Sequence, residues 1–220
     1  MIPILITSGK GGVGKSTIAV NLAVALAKHS RVSFLDADLM DPVAHLFFNV
    51  NKEKLGEYGK MLKPLQVNEN IEFMGLGPFV PRGVGVALNY EKTADFVVTL
   101  LKFVHWTGDY LIVDTPPGSI DVNVKLLKEL EGRARAVLVG EPHPFALEDN
   151  LRMFDLLRLY DVDVRAVVLN KYDMFVKEVA ERVAGEYEKL GVPVIKILFD
   201  KELQVRVKPE LFKDVAEVVA

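Results

Sequence analysis

The chain has 220 residues, half of them apolar, a formal charge of −3 and no cysteine. This length suffices for one α/β domain with a full core, so we expect residues 1–220 to form a single unit. The acidic balance is not typical of proteins that coat nucleic acid, and the lack of cysteine excludes disulfides and thiolate metal sites within these residues. No apolar run reaches about 18 residues and the N-terminus lacks the basic start of a signal peptide, which predicts a cytoplasmic protein.

Short runs rich in Val, Ile and Leu alternate with stretches of helical periodicity along the whole chain. The predicted strands are Ile2–Thr7, Val32–Asp36, Ile71–Leu76, Tyr110–Asp114, Ala136–Gly140, Val164–Asn170 and Val194–Phe199. The predicted helices are Lys15–Lys28, Tyr90–His105, Val122–Leu130, Phe145–Leu159, Met174–Leu190 and Glu210–Val219. Alternation of this kind predicts an α/β fold with a doubly wound, mostly parallel sheet flanked by helices.

Residues 9–16, GKGGVGKS, fit the phosphate-loop pattern G-x-x-x-x-G-K-[ST] and stand between a predicted strand and a predicted helix. Glycines let backbone N–H groups turn toward phosphate oxygens, and the following helix adds the positive end of its dipole. We expect Lys15 to contact the β- and γ-phosphates, Thr17 to contact the α-phosphate and Ser16 to bind Mg²⁺. The backbone of the loop is expected to bind phosphate at Gly11, Gly12, Val13 and Gly14. The alternative, a glycine-rich turn that binds nothing, does not explain why strand, loop, helix and hydroxyls coincide.

Two acidic stretches follow predicted strands, LDADLMDP at residues 35–42 and IVDTPPG at residues 112–118. A carboxylate at the end of a strand beside a phosphate loop commonly supports Mg²⁺, and Asp114 suits that role. We expect Gly118 to offer its N–H to the γ-phosphate, which would let this loop distinguish ATP from ADP. Aspartate also caps helices, so each stretch points to function only together with the phosphate loop.

Three motifs, GKGGVGKST, DADLMDP and DTPPGSID, resemble the deviant Walker A loop and the two switch loops of the Mrp/MinD/ParA ATPases, within the SIMIBI class of P-loop proteins. The resemblance runs through nearly the whole chain and is strongest to the Mrp branch. It implies ATP/ADP and Mg²⁺ as ligands, ATP hydrolysis and a nucleotide-dependent homodimer. In that dimer the additional lysine of the loop, here Lys10, would reach the phosphates bound by the other subunit and neutralise charge in the transition state. The sequence leaves open that Lys10 is a solvated loop residue.

The same resemblance implies roles for three further residues. Asp38 would orient or activate the attacking water, Asp36 would support the Mg²⁺ shell, and Asn170 would hydrogen-bond the adenine. Residues 170–173, NKYD, also match the N-K-x-D motif of GTPases, in which the aspartate reads guanine. The alternative is that Asp173 caps the helix predicted from Met174. We favour ATP, with Asp173 as the cap, because the additional loop lysine belongs to the ATPase branch.

The chain departs from the family at its C-terminal end and in its lack of cysteine. Mrp-type iron–sulfur carriers bind a bridging cluster through a C-terminal CxxC motif, which a chain without cysteine cannot do. The segment KPELFKDVAEVVA lacks the Lys/Arg-rich polar face of the membrane-binding helix of MinD, so we expect no membrane binding.

These departures favour a switch that assists metallocentre assembly, for nickel or iron–sulfur proteins, through a partner metallochaperone or metalloenzyme. Within the resembling family, the atypical HypB-type ATPases of nickel–iron hydrogenase maturation work with such a partner. Two alternatives stay open at this point. One is a positioning or partition ATPase of the MinD/ParA kind, and the other is a SIMIBI GTPase that reads guanine through NKYD.

Overall fold

A mostly parallel sheet occupies the centre of the protein. The computed structural model describes residues 1–50, 56–79, 90–117 and 120–220, with the backbone only at residues 90, 91 and 120. The strands are β1 (Ile2–Thr7), β2 (Val32–Asp36), β3 (Gly56–Tyr58), β4 (Met61–Lys63), β5 (Leu65–Gln66), β6 (Ile71–Met74), β7 (Tyr110–Asp114), β8 (Arg135–Gly140), β9 (Asp163–Leu169) and β10 (Val194–Lys196). The helices are α1 (Lys15–Leu26), α2 (Ala44–Phe47), α3 (Tyr90–Phe103), α4 (Ile120–Leu130), α5 (Pro144–Leu159), α6 (Lys177–Glu188) and α7 (Lys213–Val219).

In the described part of the chain, eight strands form one sheet in the order β10-β9-β8-β1-β7-β2-β6-β5. Neighbouring strands are parallel except β5 and β6, which are antiparallel. Helices connect the parallel strands because such a connection must cross from one end of the sheet to the other. The predicted α/β fold with a mostly parallel sheet is confirmed. The strands β3 and β4 pair with each other outside this sheet.

Strand β1 is apolar from Ile2 to Ile6 because both faces of the sheet are covered there. On β1, Ile4 and Ile6 pack in the core that includes α1 and α7. Leu5, between them, points to the other face and packs in the core that includes α3, α4, α5 and α6. Successive side chains of a strand alternate between faces, so a strand buried on both sides reads as a continuous apolar run.

The predicted elements are present, and the differences lie at their ends and in the shortest segments. The helix predicted from Met174 begins at Lys177, because Lys171 has a left-handed backbone (φ 54°) and Tyr172–Met174 form a single 3₁₀ turn. Helix α2 and strands β3, β4 and β5 were not predicted, since two to four residues are too short to show a period. That residues 1–220 form one unit stays a prediction. No helix in the described residues has the length and apolar character that crossing a bilayer demands.

Candidate nucleotide-binding site

The carboxyl ends of β1, β7 and β2 lie side by side at one edge of the sheet. Strand register puts Asp36, the last residue of β2, beside Asp114, the last residue of β7, and Ile6 of β1 lies on the other side of Asp114. The phosphate loop leaves the same edge directly after β1 and leads into α1. Open parallel sheets bind their ligands at this edge. The structure therefore brings the predicted loop and the described parts of both acidic stretches together.

Three side chains donate hydrogen bonds to backbone carbonyl groups of the phosphate loop. The bonds are Ser8 Oγ to the Lys10 carbonyl (2.6 Å), Asn170 Nδ2 to the Val13 carbonyl (2.9 Å) and Lys171 Nζ to the Gly12 carbonyl (3.2 Å). Lys171 also forms an ion pair with Glu141, with 2.6 Å between Nζ and Oε1. These bonds hold the peptide planes of the loop before a nucleotide binds, which reduces the conformational entropy lost on binding.

Two glycines of the loop have backbone conformations that other residues avoid. Gly12 has a φ of 78° and Gly14 a φ of 95°, both in the left-handed region. A Cβ on Gly14 would also collide with the amide of Asn170. Gly14 therefore lets α1 start against this side chain, with the free N–H groups of the first helical turn next to the loop. The phosphate and Mg²⁺ contacts of the loop stay predictions for Gly11, Gly12, Val13, Gly14, Ser16 and Thr17.

Lys15 is a buried cation. The residue is 6% exposed, and its Nζ donates a hydrogen bond to Ser8 Oγ at 3.1 Å. Burial lowers the pKa of the Lys15 ammonium, whereas the carboxylates of Asp114 and Asp38 act to raise it. Among the described residues this is the single hydrogen bond of a group with three N–H donors, so the other two remain for phosphate oxygens.

Asp114 is a buried carboxylate without a hydrogen bond. It is 1% exposed, and neither of its oxygens has a hydrogen-bond partner among the described residues. Burial raises its pKa to about 7, while the nearby Ser16 hydroxyl and the Lys15 ammonium act to lower it. A buried carboxylate is unfavourable unless it is paired or binds a cation. A carboxylate and a hydroxyl are ligands that suit Mg²⁺, so the residues at this place fit the predicted metal.

Asp36 and Asp38 determine the shape of the first switch loop. Asp36 accepts backbone hydrogen bonds on both oxygens, from Asp38 N–H at 3.2 Å and from Ala44 N–H at 3.3 Å. Burial raises the pKa of Asp36 well above its ordinary value, and the charges of Asp114 and Asp38 raise it further. Asp38 accepts from Asp41 N–H at 3.1 Å, and partial burial raises its pKa as well. The predicted roles in the Mg²⁺ shell and in orienting water stay predictions.

A cleft beside the start of α1 opens between the phosphate loop and the segment that follows β10. Its lining residues are Gly14, Thr17, Asn170, Lys171, Phe199, Asp200, Leu203 and Gln204. Asn170 is 8% exposed and stands between this cleft and the loop, since its amide also binds the Val13 carbonyl. The adenine contact predicted for Asn170 is compatible with this position and stays a prediction.

The prediction that Asp173 caps a helix is wrong. Asp173 Oδ1 accepts a hydrogen bond from Phe199 N–H at 2.6 Å, and α6 begins only at Lys177. The carboxylate thereby ties the segment after β9 to the segment after β10, which forms one wall of the cleft. Asp173 is not itself among the residues that line the cleft, but it holds Phe199, which is.

The sequence prediction also included Gly118 and Lys10, and it missed Asn150 and Glu141. Gly118 lies outside the described residues. Lys10 is exposed, as a residue that contacts a second subunit requires. Neither Asn150 nor Glu141 was identified as a site residue from the sequence. Asn150 Oδ1 accepts a hydrogen bond from the N–H of Gly9 at 2.7 Å, and the two residues are 141 positions apart in the chain. Nothing in the sequence around Asn150 indicates this contact, whereas the place of Glu141 just after a strand was a usable signal.

Residues 2–192 match a family model described as ParA: NUBPL iron-transfer P-loop NTPase. The chain belongs to the ParA/MinD family of P-loop NTPases. An iron-sulfur cluster carrier protein of Deinococcus radiodurans is 33% identical over 202 residues, which are 86% of this chain and 57% of that protein. A NUBP1 homolog of Brugia malayi, named a cytosolic Fe-S cluster assembly factor, is 31% identical over 91% of this chain and 70% of its own length. The chain thus spans little more than half the length of the Deinococcus protein.

Solved structures share the fold of this ParA/MinD-family chain. The nucleotide-binding protein of Archaeoglobus fulgidus, in complex with ADP, has a TM-score of 0.75 at 24% identity and matches 99% of this chain and 87% of its own. The septum site-determining protein MinD of Pyrococcus horikoshii, complexed with Mg-ADP, has a TM-score of 0.68 at 21% identity, with 99% and 92% covered. Identities this low establish the fold alone.

Asp114→Asn is expected to stabilise the nucleotide-free protein at neutral pH and to weaken its binding of Mg²⁺–ATP. The pKa of this carboxyl is about 7 in the folded chain and about 3.9 in an unfolded one. Between these values the folded state binds more protons, so the free energy of unfolding falls as the pH rises from about 4 to about 7. The free energy of unfolding of Asp114→Asn does not fall in this way, because its amide does not ionise.

Chemical denaturation at several pH values, with and without Mg²⁺–ATP, measures both effects. The exposed Asp155→Asn on α5 is the control, because it removes a solvated carboxylate of the same chain. The difference in stability between Asp114→Asn and the wild type should grow with pH. A difference that is the same at both ends of this range would contradict the assignment of a buried, unpartnered carboxylate.

Proposed function

We propose that this chain binds and hydrolyses ATP and that, as a nucleotide-dependent homodimer, it assists the maturation of iron–sulfur proteins. The observation that carries the proposal is the buried, unpartnered carboxylate of Asp114 beside Lys15, at a phosphate loop held in shape before binding. The relatives named as iron–sulfur cluster carrier and assembly proteins support the metallocentre part. They favour iron–sulfur over nickel, for which the site offers no separate support.

The role proposed for each residue follows from its position. Lys15 would contact the β- and γ-phosphates and Thr17 the α-phosphate, while the N–H groups of the loop surround the phosphate oxygens. Ser16 and Asp114 would hold Mg²⁺, which neutralises phosphate charge when it is bound. Asp38 lies on the switch loop near Lys15, close enough for their charges to interact, and would orient the attacking water.

The part of this chain in cluster chemistry is proposed to be indirect. The 220 residues contain no cysteine, and thiolates are the usual ligands of iron–sulfur clusters. The cluster would therefore be held by residues outside these 220, which we propose belong to a partner metallochaperone or metalloenzyme. The loop from Asp38 to Asp41 follows one of the site's carboxylates, so its shape would report the nucleotide state to that partner.

The test measures transfer of a [4Fe–4S] cluster from a loaded scaffold protein to an apo-ferredoxin in the presence of this chain. Transfer should be faster with ATP than with ADP or no nucleotide, and Lys15→Ala should remove the difference. ATP hydrolysis without any effect on transfer would reject the maturation role and keep the ATPase. ATP-dependent pelleting with vesicles or DNA would favour a positioning ATPase instead. GTP binding tighter than ATP binding, and lost in Asp173→Ala, would favour a GTPase.

Asp38→Ala is expected to bind ATP nearly as well as the wild type and to hydrolyse it on the order of 100-fold more slowly. The variant loses the carboxylate that would orient water but keeps the phosphate loop and Lys15. Single-turnover hydrolysis and equilibrium binding of ATP separate the two effects. Asp41→Ala, which removes an exposed carboxylate of the same loop, is the control. Equal turnover in Asp38→Ala and the wild type would remove Asp38 from the catalytic role.

A further inference from the structure

The side chain of Asn150 joins helix α5 and strand β8 to the start of the phosphate loop. Asn150 is 1% exposed. Its Oδ1 accepts a hydrogen bond from Gly9 N–H at 2.7 Å, and its Nδ2 donates to the Val139 carbonyl at 3.0 Å. An acceptor on one side and a donor on the other define how the amide is oriented. Both ends of this buried group are therefore used in holding backbone.

Close packing leaves the Asn150 amide little freedom. A Cβ on Gly140 would lie 2.6 Å from Asn150 Nδ2 and 3.2 Å from the Tyr187 hydroxyl. A Cβ on Gly9 would collide with the backbone of Asp149, so α5 rests directly on the loop. Two glycines thus allow the helix, the strand and the loop to approach each other around one amide. A displacement of α5 is transmitted to Gly9 by these contacts.

Lys10 follows the residue that Asn150 holds. Asn150 fixes the peptide plane before Gly9, and the Ser8 hydroxyl fixes the plane after Lys10 by donating to the Lys10 carbonyl at 2.6 Å. Peptide groups are rigid, so two fixed planes limit the backbone angles of the two residues between them. These limits on the backbone angles also limit the direction in which the exposed Lys10 side chain leaves the loop.

We propose that Asn150 is a positioning residue that sets the direction of Lys10. This proposal rests on the proposed ATPase function and on a contribution of Lys10 to hydrolysis. A shift of about 1 Å in a group that acts on the transition state lowers the rate on the order of 100-fold. Loss of the two Asn150 bonds therefore lowers kcat, while binding of ATP through Lys15 and the rest of the loop changes less.

A double-mutant cycle between Asn150→Ala and Lys10→Ala tests the proposal. In the wild-type background Asn150→Ala should lower kcat at least about tenfold and change KM by less than about threefold. In the Lys10→Ala background the same substitution should lower kcat no further, because the residue it positions is gone. A purely structural role would lower kcat to the same degree in both backgrounds.

Asn21→Ala is the matched control for this cycle. Asn21 is as buried as Asn150 and also binds backbone at both ends of its amide, accepting from Lys208 N–H and donating to the Thr17 carbonyl. Its effect on kcat should be independent of Lys10. If Asn150→Ala does not fold, Asn150→Ser repeats the cycle, because the smaller polar side chain leaves room for a water next to the freed backbone groups.

The outcomes separate this proposal from the proposed function. Hydrolysis by the wild type, with effects of Asn150→Ala and Lys10→Ala that multiply, overturns the positioning role and leaves the ATPase. A coupling to Lys10 that is equally large for Asn21→Ala also overturns it, since the coupling would then not depend on the Gly9 contact. A wild-type protein that does not hydrolyse ATP overturns the proposed function and the positioning role together.

Discussion

We expect that Lys15→Ala abolishes measurable ATP binding. Lys15 is the buried cation of the phosphate loop, and its Nζ has one hydrogen bond, to Ser8, among the described residues. Hydrogen bonds to a charged group contribute about 1.5–3 kcal/mol each, so the loss of two from Lys15 to phosphate raises the Kd on the order of 100-fold or more. Calorimetric titration with Mg²⁺–ATP measures the change.

Two further variants test whether the loss of ATP binding is due to the loss of the Lys15 charge. Lys15→Met keeps the length of the side chain without the ammonium and should lose ATP as completely as Lys15→Ala. Lys189→Ala removes an exposed lysine that pairs with Glu186 at 2.7 Å and should bind ATP like the wild type. Removing the Lys15 ammonium leaves the buried Asp114 without its neighbouring cation, so circular dichroism of the nucleotide-free variants checks that they are folded before ATP binding is measured. Undiminished ATP affinity in Lys15→Ala would contradict the phosphate-loop assignment.

The central strands could be predicted because local sequence and tertiary position agree there. The bounds of β1, β2 and β7 are as predicted, since each is an apolar run that ends at a polar residue at the binding edge. The short elements within residues 44–47 and 56–66 were not predicted. Helix α2 has four residues and β5 two, so neither contains a full period, and their conformation depends on the structure they pack against.

Site residues that are placed by local sequence could be predicted, whereas those placed by contacts with distant parts of the chain could not. The loop, Lys15 and Asp114 follow strands directly, and a motif of fixed spacing identifies them. The contact of Asn150 with Gly9 joins residues 141 positions apart, and no local pattern contains it. Asp173 was misread because a helix cap was the nearest partner in sequence, whereas the N–H that it accepts from belongs to Phe199, 26 residues later.

Lys10→Ala is expected to weaken the ATP-dependent dimer and to slow hydrolysis while each subunit still binds nucleotide. Two facing loops with ATP bring roughly eight phosphate charges to one interface, which is unfavourable unless cations compensate. Lys15 is buried within its own loop, but Lys10 is exposed and its side chain is not tied down by a described residue. Of the two lysines of the phosphate loop, Lys10 is therefore the one placed to reach across an interface, and it should matter most when the γ-phosphate is present.

Sedimentation in the hydrolysis-deficient Asp38→Ala background compares ATP, ADP and no nucleotide. ATP should favour the dimer more than ADP does, and adding Lys10→Ala should remove most of that difference. Lys189→Ala in the same background should leave the difference unchanged, because that lysine directly follows the last residue of α6 and is not part of the loop. If Lys10 acted only within its own subunit, its loss would change ATP affinity and leave assembly alone. The same oligomeric state with and without Lys10 under all three conditions would therefore make it a local loop residue, and the phosphates of two subunits would need another source of compensating charge.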